Sequence, residues 1–149
     1  MVRIRKLIVL LGVCCLLLAG CTKQPLNSEV EGFWILKSFV TLSDGQTHQC
    51  RRLYYSITRM VTEVAEKGGE QDLTSCIART GYNENQSQLI LTDFKLRTVN
   101  TDLRKDATIE QLKPYGIDSQ ELTVFDIVHC DGKNMTLQSD YARLELERF

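Results

Sequence analysis

From Gly32 to the end, the chain sets apolar residues at alternate positions in short runs rich in β-branched and aromatic side chains, with turn-forming residues between them. A period of two buries one face of a strand, and helical spacing does not fit it. The pattern predicts an all-β domain. A first strand is expected over about Gly32 to Val40, with Gly32, Trp34, Leu36 and Val40 on one face and Lys37 on the other. A second, long strand follows from about Leu53 to Ala65, and Lys67-Gly68-Gly69 turns the chain into a third, roughly Leu73 to Tyr82. Beyond the turn at Asn83 to Ser87, a fourth runs from about Leu89 to Arg97, with Ile90, Phe94 and Leu96 on one side and Asp93, Lys95 and Arg97 on the other.

The alternation breaks at the polar stretch Asn100 to Lys105. Thr108-Ile109-Glu110-Gln111 has the form of a capping box, so one short helix is expected near 107-113, limited by Pro114 and Gly116. Leu122 to His129 alternates again, Asp131-Gly132-Lys133-Asn134 forms a hairpin turn, and Met135 to Arg148 reads as a long final strand. Within it the apolar phase passes from Met135 and Leu137 to Ala142, Leu144 and Leu146, which a bulge near Ser139 and Asp140 explains. The result is a small antiparallel meander of about six to eight strands, a barrel or half-barrel.

The amino-terminal segment has a different logic. Arg3, Arg5 and Lys6 precede a short apolar run ending in Leu18-Ala19-Gly20-Cys21. Leu7 to Gly20 supplies 14 positions, whereas spanning a bilayer needs about 20. The anatomy is that of a secretory signal over residues 1-20, and Leu-Ala-Gly-Cys resembles the lipobox of bacterial lipoproteins. The resemblance implies that Cys21 becomes the acylated first residue, carrying palmitate among its chains and holding the protein on a membrane. Two or three acyl chains make such attachment effectively permanent. Residues 21-29 are polar, contain Pro25 and read as a tether, leaving 30-149 as the folded domain.

Removing 20 of 149 residues leaves 129, about the modal size of one domain. The net charge falls from -1 to -4, because the lost segment carries three basic and no acidic side chains. No basic stripe remains to track phosphates, which argues against a nucleic-acid partner.

Cys14 and Cys15 leave with the signal and Cys21 goes to lipid, so Cys50, Cys76 and Cys130 remain. In a simple meander of alternating strands, the link after the first strand, the Asn83 to Ser87 turn and the Asp131 to Asn134 turn share one end. His48, Cys50, His129 and Cys130 then converge there. Three readings stay open: a Cys50 to Cys130 disulfide, a zinc site from two His and two Cys, or unconnected thiols. No Cys-x-x-Cys spacing supports the metal.

Val30-Glu31-Gly32-Phe33-Trp34 resembles the Gly-x-Trp opening of lipocalin-like folds. The ending Met135 to Phe149 is similar to the closing strand of the small lipocalin-like lipoproteins of Bacteroidetes, and the likeness includes the connector Leu112-Lys113-Pro114-Tyr115-Gly116-Ile117. It implies that Trp34 plugs one end of a barrel while Arg148, from the last strand, packs over its indole. The alternative is an ordinary core tryptophan with a solvated arginine. Thr22 follows the acylated cysteine without an aspartate, and no acidic run follows it. By likeness to other lipoproteins this implies the outer membrane, on its periplasmic face.

No Gly-x-Ser-x-Gly elbow, phosphate-cradling loop, His-Glu-x-x-His helix or EF-hand spacing occurs. Nothing calls for a cofactor or a metal, and no catalytic residue stands out. Two non-enzymatic roles follow. The barrel encloses a small apolar ligand, with Tyr55, Ile57 and Phe94 as candidate wall residues, or the domain is filled and holds an envelope protein by a strand edge or loops. A cavity favours the first and a packed interior favours the second.

Overall fold

The computed structural model describes residues 26–97 and 105–149. The signal segment 1-20, Cys21, most of the tether and nearly all of the polar stretch at Asn100 lie outside the described residues. Eight strands form the domain: β1 (Gly32–Thr41), β2 (Thr47–Ile57), β3 (Val61–Glu66), β4 (Cys76–Tyr82), β5 (Gln88–Leu96), β6 (Leu122–Cys130), β7 (Asn134–Gln138) and β8 (Ala142–Arg148). Each pairs antiparallel with the next, and β8 pairs with β1, so the sheet closes into a barrel. Between β5 and β6 lie the short helix α1 (Ile109–Leu112) and a 3-10 turn at Lys113–Tyr115.

Eight strands fall within the expected six to eight, and two of the long expected strands are each folded in half. The run from Leu53 to Ala65 breaks at Thr58 to Met60, where no glycine or proline marks a turn. Instead the Thr58 hydroxyl donates to the Val61 carbonyl at 2.7 Å, and the Val61 N–H donates back to the Thr58 Oγ1 at 3.2 Å. The final run breaks the same way. Ser139 Oγ accepts the N–H groups of Tyr141 and Ala142 and donates to the Ala142 carbonyl. A hydroxyl bonded to nearby backbone mimics a turn without a special backbone angle. The apolar phase change near Ser139 and Asp140 therefore marks a reversal of the chain, not a bulge.

Bulges do occur elsewhere and shift which side chains face inward. In β1 the register slips between Leu36 and Ser38. Trp34, Leu36 and Phe39 consequently point into the core, and Val40 is only half-buried. In β5 the residues facing inward are Leu89, Leu91 and Phe94, whereas Ile90 lies on the other face. Asp93, at φ 59°, sits just before Phe94, and the pairing with β4 slips between Ile77 and Arg79.

The connecting segment closes one mouth of the barrel. Thr108 Oγ1 accepts the Gln111 N–H while Gln111 Oε1 accepts the Thr108 N–H, so the capping box forms as the sequence indicates. Gly116 ends the 3-10 turn at φ 76°, with Leu144 and Phe39 so near that a Cβ there would lie 3.1 Å from Leu144 Cδ1. Leu112, Tyr115 and Ile117 are thereby driven into the core, each wholly buried.

Candidate functional site

Alternation of eight strands gives the barrel two distinct ends. At the tether end lie the start of β1, the Thr58 to Met60, Asn83 to Ser87 and Asp131 to Lys133 turns, and the end of β8. The helix end holds the β1–β2 and β3–β4 links, α1 and the Ser139 to Tyr141 turn.

The tether end is shut by an indole and a guanidinium. Trp34 is wholly buried, and its Nε1–H donates to the Val30 carbonyl at 2.7 Å. Arg148 pairs with Trp34 across the β1–β8 ladder, and its guanidinium carbon sits 4.5 Å from the ring centroid, within range of a cation–π attraction. Nη2 of the same group donates to the Glu29 carbonyl at 2.6 Å. Gly32 makes room for it: a Cβ there would lie 2.6 Å from Arg148 Nη1, and the φ of 155° is one that side-chain-bearing residues rarely adopt. The glycine two residues before the tryptophan is thus explained by the arginine.

The helix end is shut by tyrosines. Tyr55 OH, at the inner face of β2, donates to the Tyr115 carbonyl at 2.6 Å, and Tyr115 OH donates to the Thr74 carbonyl at 3.1 Å. Burial pushes the Tyr55 hydroxyl well above its usual range, so it is a neutral donor at any physiological pH. Tyr55, Ile57 and Phe94 do face the interior, where they join Trp34, Phe125, Tyr115, Leu89 and Leu91 in one cluster. Tyr55 and Phe94 leave no surface that a water molecule can touch, and Ile57 leaves 1%. These three are core residues here, not the walls of an open cavity. A shallow cleft of about 150 Å³ indents the same end beside Phe39, His48, Cys50 and Pro114.

The extra turn at Thr58 also separates the cysteines. Cys50 lies near the start of β2 at the helix end and Cys130 at the end of β6, at the tether end. No Cys50 to Cys130 disulfide forms, and Cys50, Cys76 and Cys130 are all free. Cys50 Sγ instead lies 3.8 Å from the His48 carbonyl, and Cys130 Sγ 3.4 Å from that of Glu29. Burial pushes the Cys50 and Cys76 thiols up to about 11. The two histidines are likewise apart: His48 bonds Thr41 Oγ1 at 2.9 Å, and His129 lies 3.4 Å from Asp131. Among the described residues no three His, Cys, Asp or Glu side chains gather as a metal site.

The sequence pattern gives no sign of one further feature. An open cleft of about 490 Å³ lies outside the barrel, between the start of β6 and the Ser139 to Tyr141 turn, with Asp118, Asp126 and Asp140 on its walls. No motif marks it, because it arises where β7 stops short of the start of β6.

A model of the lipocalin-like domain family matches residues 16–149. Among solved structures, a lipocalin-like protein from Bacteroides uniformis superposes with a TM-score of 0.55 at 13% identity, covering 81% of this chain and 99% of that one. An uncharacterized protein from Bacteroides eggerthii superposes with a TM-score of 0.57 at 12% identity, covering 80% and 98%. Such distant likeness carries the fold alone. No curated protein matches the chain. The closed eight-stranded barrel and a family match across nearly the whole length lead to one assignment: the chain belongs to the lipocalin-like domain family.

Proposed function

We propose that this protein is a lipid-anchored, non-enzymatic component of a bacterial envelope that works through the outer surface of a filled barrel, holding a partner rather than carrying a ligand inside. One observation carries the reading. The inward side chains from around the barrel, Trp34, Tyr55, Leu91, Phe94, Phe125 and Leu137, form one cluster with Tyr115 from the connector, with no water-accessible surface left on any of them. Ligand-carrying sites are clefts or cavities of about 300 to 1,000 Å³; the indentation beside Phe39 and Pro114 is about 150 Å³ and one beside Arg52 and Glu66 about 210 Å³, while the 490 Å³ cleft lies outside the barrel. Anchoring rests on the signal-like segment and Cys21, and the outer membrane's periplasmic face on the residues after Cys21.

Labelling with a palmitate analogue and crosslinking in intact cells test the two halves. Label on wild type that Cys21→Ser abolishes, with one discrete crosslinked species, is the expected result. Undiminished label on Cys21→Ser removes the anchor, and no crosslinked species removes the partner.

Carriage of a small apolar ligand is the second reading, favoured by the barrel fold of the family. It requires the connector to swing away, breaking the Tyr55 and Tyr115 hydrogen bonds that hold it.

A further inference from the structure

The barrel closes on itself, yet its ladder is incomplete where β6 starts beyond the reach of β7. β6 begins at Leu122, whereas its pairing with β7 begins only at Asp126, opposite Gln138. Over Leu122 to Phe125 the strand therefore pairs on its β5 side alone. The Ile127 N–H bonds the Ser87 carbonyl beside β5. Since backbone groups alternate in direction along an antiparallel strand, Thr123 and Phe125 also face β5, and Leu122 and Val124 face the gap. The Leu122 N–H is met at 3.4 Å by Ser119 Oγ. For Val124, neither the N–H nor the C=O has a partner among the described residues. The 490 Å³ cleft opens directly over this edge, and Leu122 is 52% exposed beside it.

The walls of the cleft add a sign to this edge. Asp118, Asp126 and Asp140 line it, and among the described residues no lysine or arginine does. Asp126 accepts a hydrogen bond from Gln88 Nε2 at 2.8 Å. Asp118 and Asp140 have no ion pair among the described residues.

We propose that the β6 edge at Leu122 to Phe125 is a docking site for an extended peptide segment bearing lysine or arginine at alternate positions, added as a strand in the gap that β7 leaves. An added strand takes its affinity from main-chain hydrogen bonds and its specificity from the pockets that its alternate side chains enter. Four edge residues span about 13 Å, so the contact is short and its main-chain bonds centre on Val124. The three aspartates select the basic side chains. This deepens the partner-holding reading and rests on it only for its biological setting.

The probes are acetylated and amidated peptides of alternating lysine and valine, a glutamate-for-lysine version, and a lysine version N-methylated at alternate amides. Binding to the domain from residue 26 onward is followed by fluorescence anisotropy, with amide NMR shifts for location. The expected result is binding of the lysine peptide that shifts the Leu122 and Val124 amides. The glutamate and N-methylated peptides should each bind at least ten-fold more weakly. Asp118→Asn with Asp140→Asn, exposed changes that leave the core intact, should weaken the lysine peptide several-fold. Three results overturn the proposal: no binding at millimolar peptide, shifts mapped away from β6, or binding indifferent to N-methylation. A neutral oligosaccharide shifting the same amides while the peptides do not also overturns it. If the peptides fail but a crosslinked partner is found in cells, the partner-holding reading stands and only this site falls. If the peptides bind and no partner is trapped, the site stands and that reading falls.

Discussion

Gly32→Ala tests the closure of the tether end, because the added methyl group and the Arg148 guanidinium claim the same space. The Cβ would lie 2.6 Å from Nη1, so the arginine must move. Moving it forfeits a cation–π contact of about 0.5 to 2 kcal/mol and a charged hydrogen bond to the Glu29 carbonyl of about 1.5 to 3 kcal/mol. Holding an alanine at φ 155° costs about 1 to 3 kcal/mol more. Gly32→Ala should therefore destabilise by about 3 to 8 kcal/mol, and Arg148→Ala by about 2 to 5. The double variant separates the causes. With the side chain of Arg148 gone, only the backbone strain of the introduced alanine remains to be added, so the two changes should fall short of additivity by about 2 to 5 kcal/mol. Urea unfolding monitored by Trp34 fluorescence, with far-UV circular dichroism as a second probe, measures all three variants. Additivity within about 0.5 kcal/mol would show that glycine and arginine act independently and refute the account of this motif.

Tyr55→Phe leaves the Tyr115 carbonyl without its donor and should cost about 1 to 3 kcal/mol. Thermal denaturation would show this as a fall of roughly 4 °C per kcal/mol, and an unchanged midpoint contradicts the tyrosine latch. Thr108→Ala removes the helix cap and should cost about 0.5 to 2 kcal/mol in urea. Three thiols should titrate in the denatured domain, and native labelling of Cys50 and Cys76 at pH 8 should be slow because burial pushes both thiols up to about 11. A single titratable thiol contradicts the separation of Cys50 and Cys130. The N–H groups of Asn134 and Lys133 hold the Asp131 carboxyl below its usual range. A carboxyl depressed by folding contributes stability above its unfolded pKa of about 3.9 and loses that contribution as pH falls through the folded value. Asp131→Asn should thus lower the melting temperature at pH 6 and converge with wild type as pH falls below about 4, whereas a gap constant from pH 6 to pH 2 contradicts this.

The legibility of the fold followed the type of signal at each turn. Gly132 and Gly68, both at positive φ, stand in turns that residue type announces. The turns at Thr58 and Ser139 use side-chain hydroxyls and no special backbone angle, so two pairs of strands read as two single strands. That miscount reversed the end at which Cys50 lies, and with it the disulfide and zinc readings. Facing patterns failed for a related reason: the slips at Leu36/Ser38 and Ile77/Arg79 change phase within a strand, which a strict period of two does not accommodate. The Trp34–Arg148 contact was legible only through family likeness, since the two residues lie at opposite ends of the domain and pair through closure. The acidic cleft was illegible because it depends on where one strand stops relative to its neighbour.

On the proposed reading, side chains and not a ligand fill the barrel. Native mass spectrometry of the mature protein purified from its own membranes, before and after delipidation of the folded domain with organic solvent, tests it most directly. The expected result is the same domain mass in both samples apart from the covalent acyl chains. A stoichiometric small molecule present before extraction and absent after it would show that the barrel carries a ligand.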